Sequence, residues 1–209
     1  MLPVTEADVD AETCGSAPPA EVANEVRYYV ACIDLRGRSC LVVGGGPVAH
    51  EKAMGLIECG ARVTVVAPEV TREVESLPAE ILRRPYERTD LEGCFLVIAA
   101  TSVNDVNVAV FEDAEKAQIF CNVADVPDLC TFILPALHRQ DPITIAVSTG
   151  GASPALAQRI RADIADQIGP EYAKLARRLR ALRPWAKERY PTYAARRDFF
   201  QRMVDRSLS

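Results

Sequence analysis

Apolar residues along this chain fall either in short unbroken runs or at helical spacing, and the alternation between the two predicts most of its elements. Leu41-Val42-Val43 behind Cys40 is one strand-length run and Val63 to Val66 is a second. A helical pattern lies between them and ends at Gly60. Glu80 to Arg83 reads as a short strand. Phe95 to Ala100 is continuously apolar, the pattern of a parallel strand buried on both faces, and Thr101 ends it. Asn104 to Ala117 reads as an amphipathic helix and Ile119 to Val123 as another strand. Strands alternating with helices predict an α/β, Rossmann-type doubly wound parallel sheet over residues 27–125.

Beyond that point the pattern changes. Phe132-Ile133-Leu134 and Ile143 to Val147 read as two strands, and the connection Pro135 to Pro142 is too short for a parallel crossover, so an antiparallel pair is expected. Isolated hairpins are marginal in water, so this apolar pair predicts a homodimer in which the region meets its symmetry mate. Ser153 is placed to cap a helix and Pro154 to open it, with the helix running through Arg161. Two more helical patterns lie around 170–183 and 192–206.

The candidate chemistry sits where the first strand meets the first helix. Gly44-Gly45-Gly46-Pro47-Val48-Ala49 is a G-x-G-x-x-A turn after a strand and before a helix. Gly44 and Gly46 would let the backbone turn tightly and approach a pyrophosphate. Ala49 would let the helix sit close on the strand, with the helix N-terminus facing the phosphates. Ligands of open α/β sheets bind beyond the carboxyl ends of the strands. The loops Gly44–Val48, Ala67–Glu69 and Ala100–Ser102 lie there by position. The acidic residue that ordinarily closes the second strand and binds the ribose is replaced by Ala67 and Pro68, with Glu69 just beyond. No cation stands there to meet a 2′-phosphate, so NAD is favoured over NADP.

Asp125 follows the strand end Asn122-Val123, at the mouth of that cleft. Position alone leaves two readings open: a proton acceptor, or a turn residue bonding its own backbone. The two histidines are too few for a histidine-rich metal site. His50 falls in the first turn of the phosphate-binding helix and is expected at the surface. His138 is expected at a turn after a strand, a second candidate for proton transfer.

Composition narrows the class. A chain of 209 residues that is 49% hydrophobic can bury a core. No apolar run approaches the roughly 20 residues of a membrane span, and the first residues lack a signal-peptide pattern. Seven cysteines without C-x-x-C spacing read as small core hydrophobes in a reducing compartment, with no metal site. A cytoplasmic address is therefore expected. Residues 1–26 carry six acidic residues and no basic one, the composition of a tail outside the fold. The net charge of −5 is unevenly spread: residues 157–209 hold thirteen Lys/Arg against six Asp/Glu. Such a third could meet an anionic ligand or a nucleic acid. A merely solvated helical face is the plainer reading, and neither a nucleic acid nor a membrane partner is expected.

Five blocks in order resemble one family: DLRGRSCLVVGGGPVAHEKA at 34–53, GARVTVVAPE at 60–69, LVIAATSVNDVN at 96–107, FCNVADVPDLCTFILPA at 120–136 and ITIAVSTGGASPALAQRIR at 143–161. The chain is similar to precorrin-2 dehydrogenases, the module that also opens multifunctional siroheme synthases. The resemblance implies a Rossmann domain over 27–134, a dimerisation region over 135–166 and a helical domain over 167–209. It implies NAD-dependent oxidation of precorrin-2 to sirohydrochlorin, and in some members insertion of ferrous iron to give siroheme. It implies Asp125 as the catalytic carboxylate, and cofactor contacts at Gly44, Gly46, Pro47, Val48, Pro68, Glu69 and Thr101. The family's Thr-Asp-Asp appears here as Thr101-Ser102-Val103, so no acidic residue is available there. The turn Ser148, Thr149, Gly150, at a helix N-terminus, is a candidate for a substrate carboxylate. A nucleotide-sensing domain that binds NAD without catalysis is the competing reading from another class.

Overall fold

The computed structural model describes residues 26–208; the acidic segment 1–25 lies outside the described residues. Five parallel strands, β1 (Ser39–Val43), β2 (Arg62–Val66), β3 (Glu80–Leu82), β4 (Leu96–Ala99) and β5 (Phe120–Val123), form one sheet in the order β3-β2-β1-β4-β5. Strand order reverses between β1 and β4, where β1 pairs with both β2 and β4. Helices α1 (Pro47–Glu58) and α2 (Arg72–Glu75) cover one face and α3 (Asn104–Ala117) the other. The central strands β1 and β4 therefore bury both sets of alternate residues, while the edge strand β3 buries neither fully. Cys40, Val42, Val65 and Ile98 pack with Ala49, Ala53 and Leu56 of α1. Leu41, Val43, Val97 and Cys121 pack with Val110 and Ala114 of α3. The small Ala49 and Ala53 are fully buried and bring α1 close to the sheet.

After β5 the chain leaves the sheet. A second, two-stranded sheet pairs β6 (Ala136–Gln140) with β7 (Ile143–Val147) antiparallel, Ala136 opposite Val147. This corrects the expected pair in one strand. Phe132–Leu134 is not a strand, and the hairpin arm falls on residues read as its connection. Phe132 turns inward to meet the Phe120 ring at 6.3 Å, and its carbonyl accepts from Asn122 Nδ2 at 3.0 Å. Pro135, with no N–H, then precedes the strand that does form. His138 accordingly lies inside β6 rather than at a turn, half-buried, its Nε2 3.1 Å from the Ile168 carbonyl.

Helix α4 (Pro154–Ala165) begins where Ser153 Oγ accepts from Leu156 N at 3.2 Å. Together with α5 (Pro170–Arg189) it packs on the hairpin, and α6 (Tyr193–Leu208) packs on α5. Helix α5 runs six residues past the expected end, through Pro184. Trp185, Tyr190, Phe199 and Phe200 form a run of ring contacts that joins α5 to α6. Arg139 of β6 reaches Glu58 at the end of α1, at 3.4 Å, and links the hairpin to the sheet domain. Cys40 and Cys121 are buried as expected of core thiols, but Cys32 is exposed.

Candidate functional site

The carboxyl edge of the sheet is extended by one residue after each central strand. Gly44 N–H donates to Val66 O (2.9 Å), Ala100 N–H to Val43 O (2.8 Å) and Ala124 N–H to Ala99 O (2.9 Å). These bonds gather the loops after β1, β2, β4 and β5 along a single edge, at the point where strand order reverses.

The glycine turn is fixed by close backbone contacts. Gly44 has φ +134°, and a Cβ on it would stand 2.3 Å from Ala100 O. A Cβ on Gly45 would stand 1.9 Å from Glu69 O. Thr71 N–H also donates to Gly45 O, at 2.9 Å. Sequence reasoning gave the turn to Gly44 and Gly46 and missed Gly45, because no motif position marks a contact with a loop 24 residues away. Gly46 differs from both: its φ is −93°, and a Cβ there would meet nothing within 4 Å. The space above Gly46 is open, so a ligand can approach its backbone there.

Gly46 is the N-cap of α1, Pro47 follows at the first helical position, and no side chain caps this end. Val48 is 41% exposed and the first turn holds no acidic residue. The first N–H groups of a helix have no intrahelical partner. Here they are left for an anion, and the positive end of the helix dipole favours one. Those groups and the open face of Gly46 fit a dinucleotide pyrophosphate. His50, in the same turn, is half-buried rather than at the surface.

Pro68 and Glu69 are exposed beyond β2, while Ala67 is buried and its N–H donates to Leu82 O at 3.1 Å. Thr101 is held more tightly than its sequence suggested. Its Oγ1 lies 2.9 Å from Asn107 Oδ1 and accepts from Val103 N–H at 3.1 Å, and Asn107 Nδ2 donates to Thr101 O at 3.0 Å. Asn107 is 7% exposed, and Thr101 N–H donates to its Oδ1 at 3.3 Å, so both the hydroxyl and the backbone of Thr101 are committed inside the loop. Asn107, an apparent surface asparagine in the sequence, was not foreseen.

Asp125 stands one residue beyond Ala124 on this edge. It is exposed and has φ +63°, a left-handed backbone that Asp tolerates better than most residues. Among the described residues its carboxylate has no hydrogen-bond partner. The loop that carries it is closed at its base by Thr131, whose Oγ1 accepts from Cys121 N–H at 2.8 Å. Burial pushes the thiols of Cys40 and Cys121 up to about 11 and about 12, which removes them as nucleophiles.

The turn Ser148, Thr149, Gly150 is tied to itself. Gly150 N–H donates to Ser148 Oγ at 3.1 Å and Ser153 N–H to Thr149 Oγ1 at 3.0 Å. With Ser153 capping α4, this helix end has its own side-chain partner, unlike that of α1. Its bonds run to its own residues and to α4, with none to the sheet edge among the described residues. His138 likewise lies on the hairpin, bonded to Ile168. Among the described residues no three His, Cys, Asp or Glu side chains are grouped to hold a metal, and no helix is long and apolar enough to cross a membrane.

The family model described as NAD(P)-binding matches residues 31–136, and one described as the central part of sirohaem biosynthesis proteins matches 140–167. A siroheme synthase of Salmonella typhi is 40% identical over 172 residues, 80% of this chain and 38% of that protein. One of Thioalkalivibrio sulfidiphilus is 41% identical over 182 residues, 85% of this chain and 37% of that protein. The chain thus spans less than two-fifths of the curated relatives it matches. A solved structure of SirC, precorrin-2 dehydrogenase, superposes with a TM-score of 0.74 at 27% identity, covering 87% of this chain and 92% of that one.

Proposed function

The chain belongs to the family of precorrin-2 dehydrogenases and siroheme synthases through its NAD(P)-binding region at 31–136, and we propose that it oxidises precorrin-2 to sirohydrochlorin with NAD as acceptor. The observation that carries the reading is a juxtaposition on one sheet edge. An uncapped helix N-terminus beside an open glycine after β1 suits the cofactor's pyrophosphate, and an unpartnered carboxylate, Asp125, follows β5 on the same edge, with β4 between them.

Gly44 and Gly45 hold the turn, and Gly46, Pro47 and Val48 present the donors. Pro68 and Glu69 meet the ribose, and the backbone of Thr101 borders the crevice. NAD, when bound, supplies the acceptor for the two electrons that leave the macrocycle as hydride. Asp125 takes the proton that leaves with them, and its exposure lets it pass that proton to solvent. NAD is preferred because Glu69 is anionic and the nearest cation along the chain, Arg72, stands three residues farther on. The substrate's carboxylates are met by the basic C-terminal third, where Lys174, Arg178, Arg180 and Arg183 are exposed, and by the Ser148–Gly150 turn.

The same reading divides the chain into an acidic segment 1–26, a Rossmann domain 27–134, a dimerisation region 135–166 and a helical domain 167–209. Its homodimer is supported by the hairpin's unpaired outer edges and by Leu137, Leu156 and Ile160 standing exposed beside them. A cytoplasmic address is supported by the free cysteines among the described residues. Ferrous iron enters the proposal as a second substrate, with Asp125 receiving pyrrole protons as the metal goes in.

The test is an anaerobic incubation with precorrin-2 and NAD, then iron. NADH and sirohydrochlorin should appear in equal amounts before iron is added, and siroheme absorbance after it. NAD binding without NADH formation would leave a nucleotide-sensing domain instead. NADH without siroheme would restrict the activity to oxidation.

A further inference from the structure

Cys130 lies five residues after Asp125, and its sulfur sits inside the loop that carries the carboxylate. Sγ is 3.3 Å from Val123 N, 3.3 Å from Val123 O, 3.2 Å from Val126 O and 3.4 Å from Asn122 Nδ2. The Val123 and Asn122 N–H groups donate to sulfur, and the one thiol proton goes to the Val126 or the Val123 carbonyl. Val123 and Val126 bracket the two residues Ala124 and Asp125. Val126 N–H also donates to Val123 O at 3.2 Å and closes the turn around them. Asn122 Nδ2 further donates to Phe132 O at 3.0 Å, which fixes the loop's return.

Within this turn Asp125 holds φ +63°. A left-handed backbone costs most L-residues about 1–2 kcal/mol and Asp less, so neighbours that fix the turn help to hold it there. The thiol reaches both flanks of the strained residue. Burial raises its pKa, so it stays protonated and keeps its one donor at neutral pH.

We propose that Cys130 is a positioning residue for Asp125: its thiol ties Val123 to Val126 and holds the carboxylate at the proton-accepting position on the sheet edge. The proposal rests on the reading of Asp125 as proton acceptor. A thiol is suited to this place because sulfur is large enough to span two backbone segments and weak enough as an acceptor to leave the strand's own bonds in place. It also packs against the core around Cys121 and Val123. Packing and polar roles are separable by substitution, since valine fills the space without a donor and serine supplies the donor without the bulk.

The experiment compares Cys130→Val, Cys130→Ser and Asp125→Ala, alone and as the double variant Asp125→Ala/Cys130→Val, in the full chain. NADH formation, NAD affinity and thermal midpoint are read for each. Cys130→Val should lower kcat about 10–100-fold, the cost of a misplaced catalytic group. The KM for NAD should stay within twofold, and Cys130→Ser should restore most of kcat. In the Asp125→Ala background, Cys130→Val should cost no further rate. The inference is overturned if Cys130→Val keeps near-native kcat, or lowers it equally with Asp125 already removed. It is overturned also if the losses follow the thermal midpoint across both Cys130 variants. Should Asp125→Ala itself leave the rate intact, the assignment of the proton acceptor fails, a result distinct from a failure of Cys130 alone.

Discussion

Between Ser39 and Val123 the chain fills two layers of side chains on either side of the sheet, and the largest of them are fully buried. From Ala136 onward the buried side chains among the described residues are three alanines, Ala157, Ala173 and Ala186. There Leu137, Leu156, Ile160, Trp185 and Tyr193 stand exposed instead. The first region closes its own core and presents at its carboxyl edge a backbone turn with a few exposed side chains, Val48, Pro68 and Glu69. The second keeps its bulk and its positive charge at the surface. An α/β sheet fixes a cofactor by close backbone contact and so tolerates little change there. A hairpin with helices draws its stability from the surfaces laid against it.

The sharpest way to break this contrast is one substitution made in both regions. Gly45→Ala should cost about 4 kcal/mol or more, because the methyl group meets the Glu69 carbonyl and neither backbone can yield. Gly150→Ala should cost about 1 kcal/mol, the strain of φ +64° alone, since nothing lies within 4 Å. Urea unfolding of the two variants measures the difference, and equal losses would dissolve the distinction. Gly46→Asp belongs to neither class: it should fold normally and lose NAD affinity in a calorimetric titration.

Next in size is Asp125→Ala, expected to lower NADH formation by roughly 10²–10⁴-fold with NAD binding nearly intact. Stopped-flow absorbance beside calorimetry checks both halves. Loss of NAD affinity in that variant would mean that the sheet edge works as one body rather than as separate cofactor and proton sites.

The C-terminal region offers a test of association. Light scattering at micromolar concentration should give a dimer mass, and Leu137→Asp should shift it toward the monomer with the sheet domain still folded. A native monomer would remove the expected cover for the exposed apolar residues.

The mildest probe is pH. The Cys40 and Cys121 thiols, raised by burial to about 11 and about 12, ionise near 9 once the chain unfolds. Their contribution to stability is whole below pH 9 and is lost as pH rises through 9 to about 12, because only the unfolded chain releases those protons first. Unfolding free energy measured at pH 8 and pH 10 should fall, and Cys121→Ala should flatten the fall.

The sequence carried most of the first region and less of the second. Strands buried on both faces are unbroken apolar runs, so β1, β2 and β4 were legible, as was the helix at Asn104–Ala117. Strand β6, Ala-Leu-His-Arg-Gln, is half-exposed and polar, and its pairing with β7 and packing on α4 form it where local preference does not. The apolar Phe132–Leu134 attracted the strand assignment that β6 deserved, and His138 was misplaced with it. The helical pattern was legible around 170–183, yet α5 continues through Pro184 to Arg189. Along the sheet edge, the tight turn at Gly44 and the place of Asp125 just beyond β5 were legible from motif and strand position. Gly45, Asn107 and Cys130 were not, since each acts through contacts with backbone elsewhere and leaves no local spacing to detect.

The contact between Gly45 and the Glu69 backbone also bears on how cofactor preference can evolve. The stretch that would face the adenosine ribose cannot be lengthened or re-routed without prising apart the phosphate turn. Insertion, the ordinary means by which surface loops diversify, is therefore closed to it. What stays open is the identity of the exposed side chains at 68 and 69, so a change of preference between NAD and NADP, in either direction, would work by substitution at two positions on a frozen frame.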